Sequence, residues 1–523
     1  MTNPQKHRVA PRIPSRRDLR RRTAILASTL ALLAVASGCT LGPEPQRPRT
    51  PADGADAFVH ASPTAAESPD PEAGADVAGD LSPWWQGFGD PETERLVRIA
   101  LDNNTDLRGA AARVLEAQST LDRARGSLWP NLTAGPSATR TKSSFVLPQT
   151  GRVNIYSTTY STDLNVSYQV DLFGRLKRTR QAAWAELLAQ GAARDALVHT
   201  VIAEVVRARV RIATLERSSA IATGIRESWR GTLGTIERRY ESGLVTALDL
   251  RLARENLASA EAAEVAAQLA LEQARLALDV LLGRRPGTGG PTADTLPELP
   301  DLGPVPTGLP AELLERRPDL RQAEMALAAA TYRVGVAMAD LFPTLTLTGS
   351  AGTRSDGLGD LLSSDALVYN AVAGLLAPVF SGGQRRADVD AAEARGEQAA
   401  AAYAGSVLRA LREVEDALLR GDAGQRRLDL LRGRLEEARA ADRIARERYR
   451  RGVERLLQVL DTERRLRSAE EALIAAQADL WNARIDLHLA LGGDWRPSEL
   501  RTETPTENLT ENLTPDPTPR EDA

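Results

Sequence analysis

The sequence predicts a mainly α-helical protein with a small β part, built from one unit used twice: a strand hairpin followed by a long coiled-coil helical hairpin. Three observations carry this prediction. The stretch from Arg239 to Gly283 aligns without a gap on the stretch from Arg448 to Gly492. The two copies share Arg239/Arg448, Tyr240/Tyr449, Gly243/Gly452, Leu248/Leu457, Leu271/Leu480, Leu278/Leu487 and Gly283/Gly492, and an in-register duplication of this length marks a repeated architectural unit. Leu466, Leu473, Leu480 and Leu487 recur every seventh residue, the seam of a coiled coil, and the first copy keeps Leu257, Leu271 and Leu278 with Glu264 breaking the series. Finally, Asp163, Asn165, Ser167, Gln169 and Asp171 alternate with Leu164, Val166, Tyr168, Val170 and Leu172, the period of a strand with one polar and one apolar face.

Length alone would allow two to four domains in 523 residues, but the duplication argues for one body made of two halves. Basic and acidic residues nearly balance, 66 against 70, so nothing suggests a nucleic-acid surface. Aromatic residues make up 4% of the chain, and the abundance of alanine, leucine and arginine suits long helices better than a compact enzyme core. The one cysteine, Cys39, excludes an intrachain disulfide.

The amino-terminal region reads as an export signal. Arg16, Arg17, Arg20, Arg21 and Arg22 precede an apolar run from Ala24 to Ala36, which leads into Ala36-Ser37-Gly38-Cys39. This is the layout of a cleavable signal peptide over 1–38, and the run is too short to remain as a membrane span. Small residues before a lone cysteine resemble the bacterial lipobox, which implies a lipid (palmitate) attached at Cys39. Thr40, where aspartate is absent, resembles lipoproteins sent on to the outer membrane. Residues 39–83, rich in Pro, Ala, Gly, Asp and Glu, are expected to form a lipid-anchored linker.

The first repeat spans 84–290. Order is expected from Trp84-Trp85-Gln86-Gly87-Phe88, then a helix from Pro91 to Leu128 that stops before Pro130. A β-hairpin over 131–172 follows, with one strand from Asn131 to Thr141 and the other from Asp163 to Leu172, joined by a loop holding Pro148 and Gly151. The long helical hairpin covers 175–283. Its first helix, from Gly174 to Tyr240, is on the order of 100 Å long at 1.5 Å per residue if unbroken, and Gly224 or Gly231 is placed to bend it. After a Pro-rich linker at 291–310, the second repeat spans 311–493, with a β-hairpin over 344–380 (strands from Thr344 to Thr353 and Leu367 to Phe380) and a helical hairpin over 384–492. Residues 494–523 read as a disordered tail. Gly243 and Gly452 supply the left-handed turns that end the long helices.

Four strands cannot satisfy their own edges inside a bilayer, where strands must close into a barrel and known barrels begin at eight. Two chains would bring eight strands and three would bring twelve.

At this point the chain resembles the TolC-like outer-membrane efflux proteins, in particular the lipid-anchored NodT type. The resemblance covers Trp84 to Gly493. It rests on Trp84-Trp85 with Phe88 and Asp90-Pro91, Asn104-Thr105-Asp106-Leu107, Leu128-Trp129-Pro130, Asp171-Leu172-Phe173-Gly174-Arg175, Arg316-Arg317-Pro318-Asp319-Leu320, Phe342-Pro343 and Pro378-Val379-Phe380 with Gly382-Gly383. It implies a homotrimer with a 12-stranded β-barrel in the outer membrane and a 12-helix α-barrel in the periplasm. Such a trimer is a passive exit duct of a tripartite efflux system for small molecules such as drugs, joined by a periplasmic adaptor (membrane fusion) protein to an inner-membrane pump. Lipid-anchored relatives point to a proton-driven pump. The resemblance also implies docking of the adaptor on the helical tips, here Gly243, Leu244, Val245, Thr246, Gly452 and Val453; Arg455 departs from the small polar residue common there. A periplasmic gate falls on Arg448, Tyr449, Leu457 and Asp461, with three copies of Leu457 as an apolar constriction and Asp461 as a ring of negative charge or a partner for a neighbour's Arg448.

The residues also allow Arg448 and Asp461 to be solvated helix charges. An exit duct for an ATP-driven type I protein secretion system, or a coiled-coil periplasmic lipoprotein without a pore, remains open at this level. No enzyme, metal or cofactor is expected. His7, His60, His199 and His488 are isolated, and the run from Gly287 to Gly290 lacks the lysine of a phosphate loop.

Overall fold

A computed structural model describes residues 40–55, 57–61, 84–147, 151–289 and 310–493. The signal peptide, Cys39, residues 290–309 of the linker and the 494–523 tail lie outside the described residues. The chain folds as two compact units, one formed by 1–48, 112–191 and 322–404 and the other by 49–111, 192–321 and 405–523. The described elements are α1 (Pro91–Asn103), α2 (Thr105–Gly126), β1 (Asn131–Leu147), β2 (Gly151–Val170), α3 (Arg175–Glu241), α4 (Ala247–Leu281), the single turn α5 (Leu313–Arg316), α6 (Pro318–Ala339), β3 (Thr344–Ser355), β4 (Leu367–Leu376), α7 (Gln384–Arg450) and α8 (Leu456–Ala490). The order helix, hairpin, 67-residue helix, 35-residue helix therefore occurs twice.

The first unit holds one antiparallel sheet in the order β1-β2-β3-β4. Its registers run from Asn131↔Ser167 to Leu147↔Gly151, from Tyr160↔Ser355 to Val170↔Leu345, and from Thr344↔Leu376 to Thr353↔Leu367 without a bulge. Cross-strand partners share a face. Leu132, Leu164, Val166, Leu345, Leu347 and Leu375 therefore lie on one face, and Thr133, Ser137, Asp163, Asn165, Thr346 and Ser350 on the other. On the polar face Ser137 and Ser161 hydroxyls meet at 2.9 Å, and Ser161 donates to Asp163 at 2.9 Å. Strands β1 and β4 are the two edges.

The strands correct the expected limits. The first pair is longer than 131–141 and 163–172, because the Ser/Thr stretch of β1 favours extended backbone without any apolar alternation to reveal it. Strand β2 stops at Val170, since Asp171 leaves the ladder to accept bonds from the Leu176 (3.1 Å) and Lys177 (2.8 Å) amides and so caps α3. Strand β4 ends at Leu376, short of Phe380, ahead of Pro378, which has no amide to give a ladder.

Below the sheet the signature residues converge. The Phe173 and Phe342 rings stack at 4.8 Å, Arg175 Nε bonds Asp340 at 2.8 Å, and Gly174 takes φ 76° with Thr40 against it. Ala182 and Ala185 of α3 pack on Ala329 and Tyr332 of α6, and the three alanines let the helices approach.

The linker expected over 39–83 is partly fastened down. Arg178, whose side chain is 1% exposed, donates to the Leu41 carbonyl at 2.9 Å and the Gly42 carbonyl at 3.0 Å and pairs with Glu44 at 2.8 Å. In the second unit, Thr50 and Asp53 form a capping box over the turn Pro51–Gly54, and Phe58 is buried with Leu313, Val414, Ala417 and Leu487. Composition misses this because the contacts are made chiefly by backbone carbonyls and a single phenylalanine.

The single helix expected from Pro91 to Leu128 is two. Asn104 breaks it with extended backbone, accepts from the Asp106 (2.9 Å) and Leu107 (3.1 Å) amides as the cap of α2, and donates to the Leu281 carbonyl at 2.9 Å. Helix α3 runs unbroken through Gly224 and Gly231; a helical glycine costs about 1 kcal/mol, which the packed faces of so long a helix absorb. The core of the second unit gathers Trp84, Trp85, Leu96 and Val97 with Ile202, Val205, Val206 and Ile212 of α3, Leu278 of α4 and Trp481 and Ile485 of α8.

Candidate functional site

The second unit contains both helical turns. In each, a glycine with positive φ (71° at Gly243, 77° at Gly452) closes the long helix by paired bonds: Gly243 to the Tyr240 carbonyl (2.9 Å) and Leu244 to that of Arg239 (2.8 Å), Gly452 to that of Tyr449 (3.0 Å) and Val453 to that of Arg448 (3.1 Å). The outgoing helices begin differently. Thr246 accepts from the Asp249 amide at 3.2 Å while the Asp249 carboxylate accepts from the Thr246 amide (2.9 Å) and hydroxyl (2.7 Å), a full capping box. Arg455 stands at the matching position of the second turn and makes no side-chain cap. Leu244 and Val453 project as exposed apolar side chains.

The residues matched to a gate lie on either side of this second turn. Ile236, Leu250, Ala253 and Leu456 form a buried cluster joining the two hairpins, with Leu233, Val245, Tyr449 and Leu460 packed on it. Tyr449 is held under the Arg239 guanidinium, 5.2 Å from the ring centroid, and Arg239 also donates to the Arg450 carbonyl at 3.2 Å. Leu457 is 70% exposed. Within the chain Arg448 and Asp461 bond to different partners. Arg448 pairs with Glu454 at 3.2 Å, and Asp461 takes bonds from Arg464 (2.8 Å) and Arg465 (2.7 Å) of its own helix. Those bonds, Arg465 first and Arg464 next, hold the Asp461 carboxyl below the usual carboxylate range.

Sequence reasoning missed a buried polar knot above the turns. Arg446 of α7 bonds Asp442 (2.7 Å), Glu463 of α8 (3.1 Å) and Ser228 of α3 (2.8 Å). Glu463 is raised above the usual range by burial, which the nearby Arg446 opposes and Asp442 reinforces. In one dimension these are ordinary helix charges, and only their enclosure distinguishes them.

A cleft of about 380 Å³ is lined by Arg207, Arg317, Arg420, Glu413 and Asp486. Its charges are paired: Arg207 and Arg420 with Asp486 (2.5 and 2.8 Å), Arg317 with Glu413 (2.7 Å) and Asp319 (2.8 Å). Arg317 also donates to the Ala490 carbonyl at 3.0 Å, so the Arg-Arg-Pro-Asp-Leu signature fastens the start of α6 to α7 and the end of α8. Among the described residues no cluster of His, Cys, Asp and Glu is arranged to hold a metal ion, and no helix is long and apolar enough to cross a membrane.

Residues 96–284 and 309–493 match the sequence profile of the outer membrane efflux proteins, one match on each repeat. The chain belongs to the outer membrane efflux protein family. Among its relatives, the toluene efflux pump outer membrane protein TtgF of Pseudomonas putida is 34% identical over 479 residues, covering 89% of this chain and 96% of that protein. The structure is similar to the outer-membrane channel OprN, with TM-score 0.76 and 32% identity over 88% of this chain and 100% of that one. It is also similar to the open state of the MtrE outer membrane channel of Neisseria gonorrhoeae, with TM-score 0.74 and 30% identity over 87% of this chain and 98% of that one. This outer membrane efflux protein thus has the mainly helical fold with a small sheet shared by channels of its family, and its place is the outer membrane.

Proposed function

We propose that three copies of this chain form the passive exit duct of a tripartite efflux system for small, largely apolar molecules. The observation that carries the reading is a four-stranded sheet with one apolar face and two open edges. In hydrocarbon each unpaired backbone group costs several kcal/mol. Edge β4 of one copy therefore needs edge β1 of the next, and three copies give twelve strands, within the range of closed membrane barrels. A periplasmic adaptor docks on the tips around Leu244 and Val453, and a proton-driven inner-membrane pump supplies the energy. Leu457 and Asp461 of three copies narrow the periplasmic entrance. The lipid is attached at Cys39; Thr40, the next residue, packs on Gly174 at the foot of the sheet, which favours an anchor at the bilayer margin. The toluene named for a relative favours apolar solvents and drugs over proteins as cargo.

The test is reconstitution. Detergent-purified protein should migrate as a trimer and give discrete conductance steps in planar bilayers. A monomer that leaves the bilayer silent overturns the proposal.

A further inference from the structure

The register of the β1–β2 hairpin places cations where the apolar face ends. Leu132/Val166, Ala134/Leu164, Pro136/Thr162 and Ala138/Tyr160 are successive cross-strand pairs on the apolar face. The next pairs on that same face are Arg140/Thr158, Lys142/Tyr156, Ser144/Asn154 and Val146/Arg152. Arg140, Lys142 and Arg152 are exposed, and none forms an ion pair with a described residue. Lys142 Nζ lies over the Tyr156 ring, 5.5 Å from its centre, a cation–π contact that holds the charge at this aromatic border. The acid of this hairpin, Asp163, is on the opposite face and occupied by Ser161.

Height supports the assignment. Arg140 stands nine residues beyond Asn131, about 30 Å along a strand at 3.3 Å per residue and about 23 Å across a bilayer at a tilt of 40°. That is close to the roughly 25 Å apolar band of outer-membrane barrels, which is bordered by aromatic residues such as Tyr156 and Tyr160. The helices attach at the other end of the hairpin, so this border belongs to the outer leaflet.

We propose that Arg140, Lys142 and Arg152 form a lipid-facing anion site for the phosphate groups of a phosphorylated glycolipid in the outer leaflet. The proposal rests on the barrel reading above, because only in a closed barrel does the apolar face meet lipid. Guanidinium groups bind phosphate oxygens in pairs, and lysine adds a compact charge. Each cation near an anionic lipid surface changes affinity roughly fivefold, so three together amount to a change on the order of a hundredfold.

The experiment titrates the full-length trimer in neutral detergent with bisphosphorylated lipid A, with the same lipid after dephosphorylation, and with inorganic phosphate, reading bound lipid by native mass spectrometry. The expected result is binding at least tenfold tighter to the phosphorylated lipid, no displacement by millimolar inorganic phosphate, and a loss on the order of a hundredfold in R140Q/K142Q/R152Q. The single variants R140Q and K142Q should each lose about fivefold. Arg354, which pairs with Ser161 and so lies on the opposite face, is the control, and R354Q should bind as the unmodified protein does. Unchanged lipid binding in the triple and single variants, or equal competition by inorganic phosphate, overturns the site. Bilayer conductance separates the two readings. If the unmodified protein conducts while the variants bind lipid normally, the site alone falls; if it never conducts, the barrel falls and takes the site with it.

Discussion

Replacing Asp90 tests how the Asp90-Pro91 signature holds the second unit together. Asp90 caps α1, accepting from the Glu92 amide at 3.3 Å and the Thr93 hydroxyl at 2.7 Å, and its Oδ2 also accepts from Arg209 Nε of α3 at 3.1 Å. The two side chains are 6% and 1% exposed. Asp90→Ala removes the cap, worth about 1 kcal/mol, and strips a partner from an enclosed guanidinium, for which about 3–5 kcal/mol is typical. The combined loss should be about 4–5 kcal/mol, since the two effects share one carboxylate. Asp90→Asn keeps the acceptor and cap geometry and should lose roughly half as much. In Asp90→Ala/Arg209→Met, where the guanidinium is removed together with its Asp90 partner, much of the loss should return. Guanidinium denaturation of the detergent-solubilised protein, followed by far-UV circular dichroism, compares the three. A cost within about 1 kcal/mol for Asp90→Ala, or a double variant no better than the single, refutes the reasoning that the enclosed pair carries the effect.

Gly174→Ala should loosen the amino-terminal strap, because Gly174 has φ 76° and a Cβ there would approach Thr40 Cα to 2.9 Å; faster proteolysis around residues 40–44 and a cost of about 1–3 kcal/mol are expected, and protection equal to the parent would count against it. His488, stacked on Trp84 at 5.2 Å, is pushed down to about 4 by burial and by Arg484. A depressed histidine is neutral when folded and takes up its proton on unfolding. Its stabilisation is therefore complete above about pH 6.5 and is lost as pH falls toward 4, on the order of 3 kcal/mol in total. Melting temperature measured from pH 7.5 to 4 should fall, and His488→Phe should flatten that part of the slope. Asp461→Asn should release Arg464 and Arg465 at the proposed entrance, raising single-channel conductance and shifting ion selectivity toward anions; unchanged currents would remove Asp461 from the gate.

The sequence was most legible where one period or one residue type decides the backbone. The duplicated stretches predict both helical hairpins, and Gly243 and Gly452 mark their turns, because a left-handed residue after a helix is nearly a glycine property. The alternation from Asp163 to Leu172 exposes a strand, whereas the Ser/Thr-rich length of β1 carries no such alternation and took the partner strand's register to define. The lipid attachment proposed at Cys39 rests on the linear order of small residues before a lone cysteine, and Cys39 lies outside the described residues. What the sequence could not decide are relations between residues far apart along the chain. Asn104 looks like helix interior until it meets the Leu281 carbonyl, Leu41, Gly42 and Phe58 look like tether until Arg178 holds the first two and a buried cluster takes the third, and Glu463 looks like a surface charge until α3 and α7 enclose it. Periodicity records which face of an element is apolar; only the tertiary structure, by choosing what covers that face, converts a charge into a buried pair or leaves it exposed.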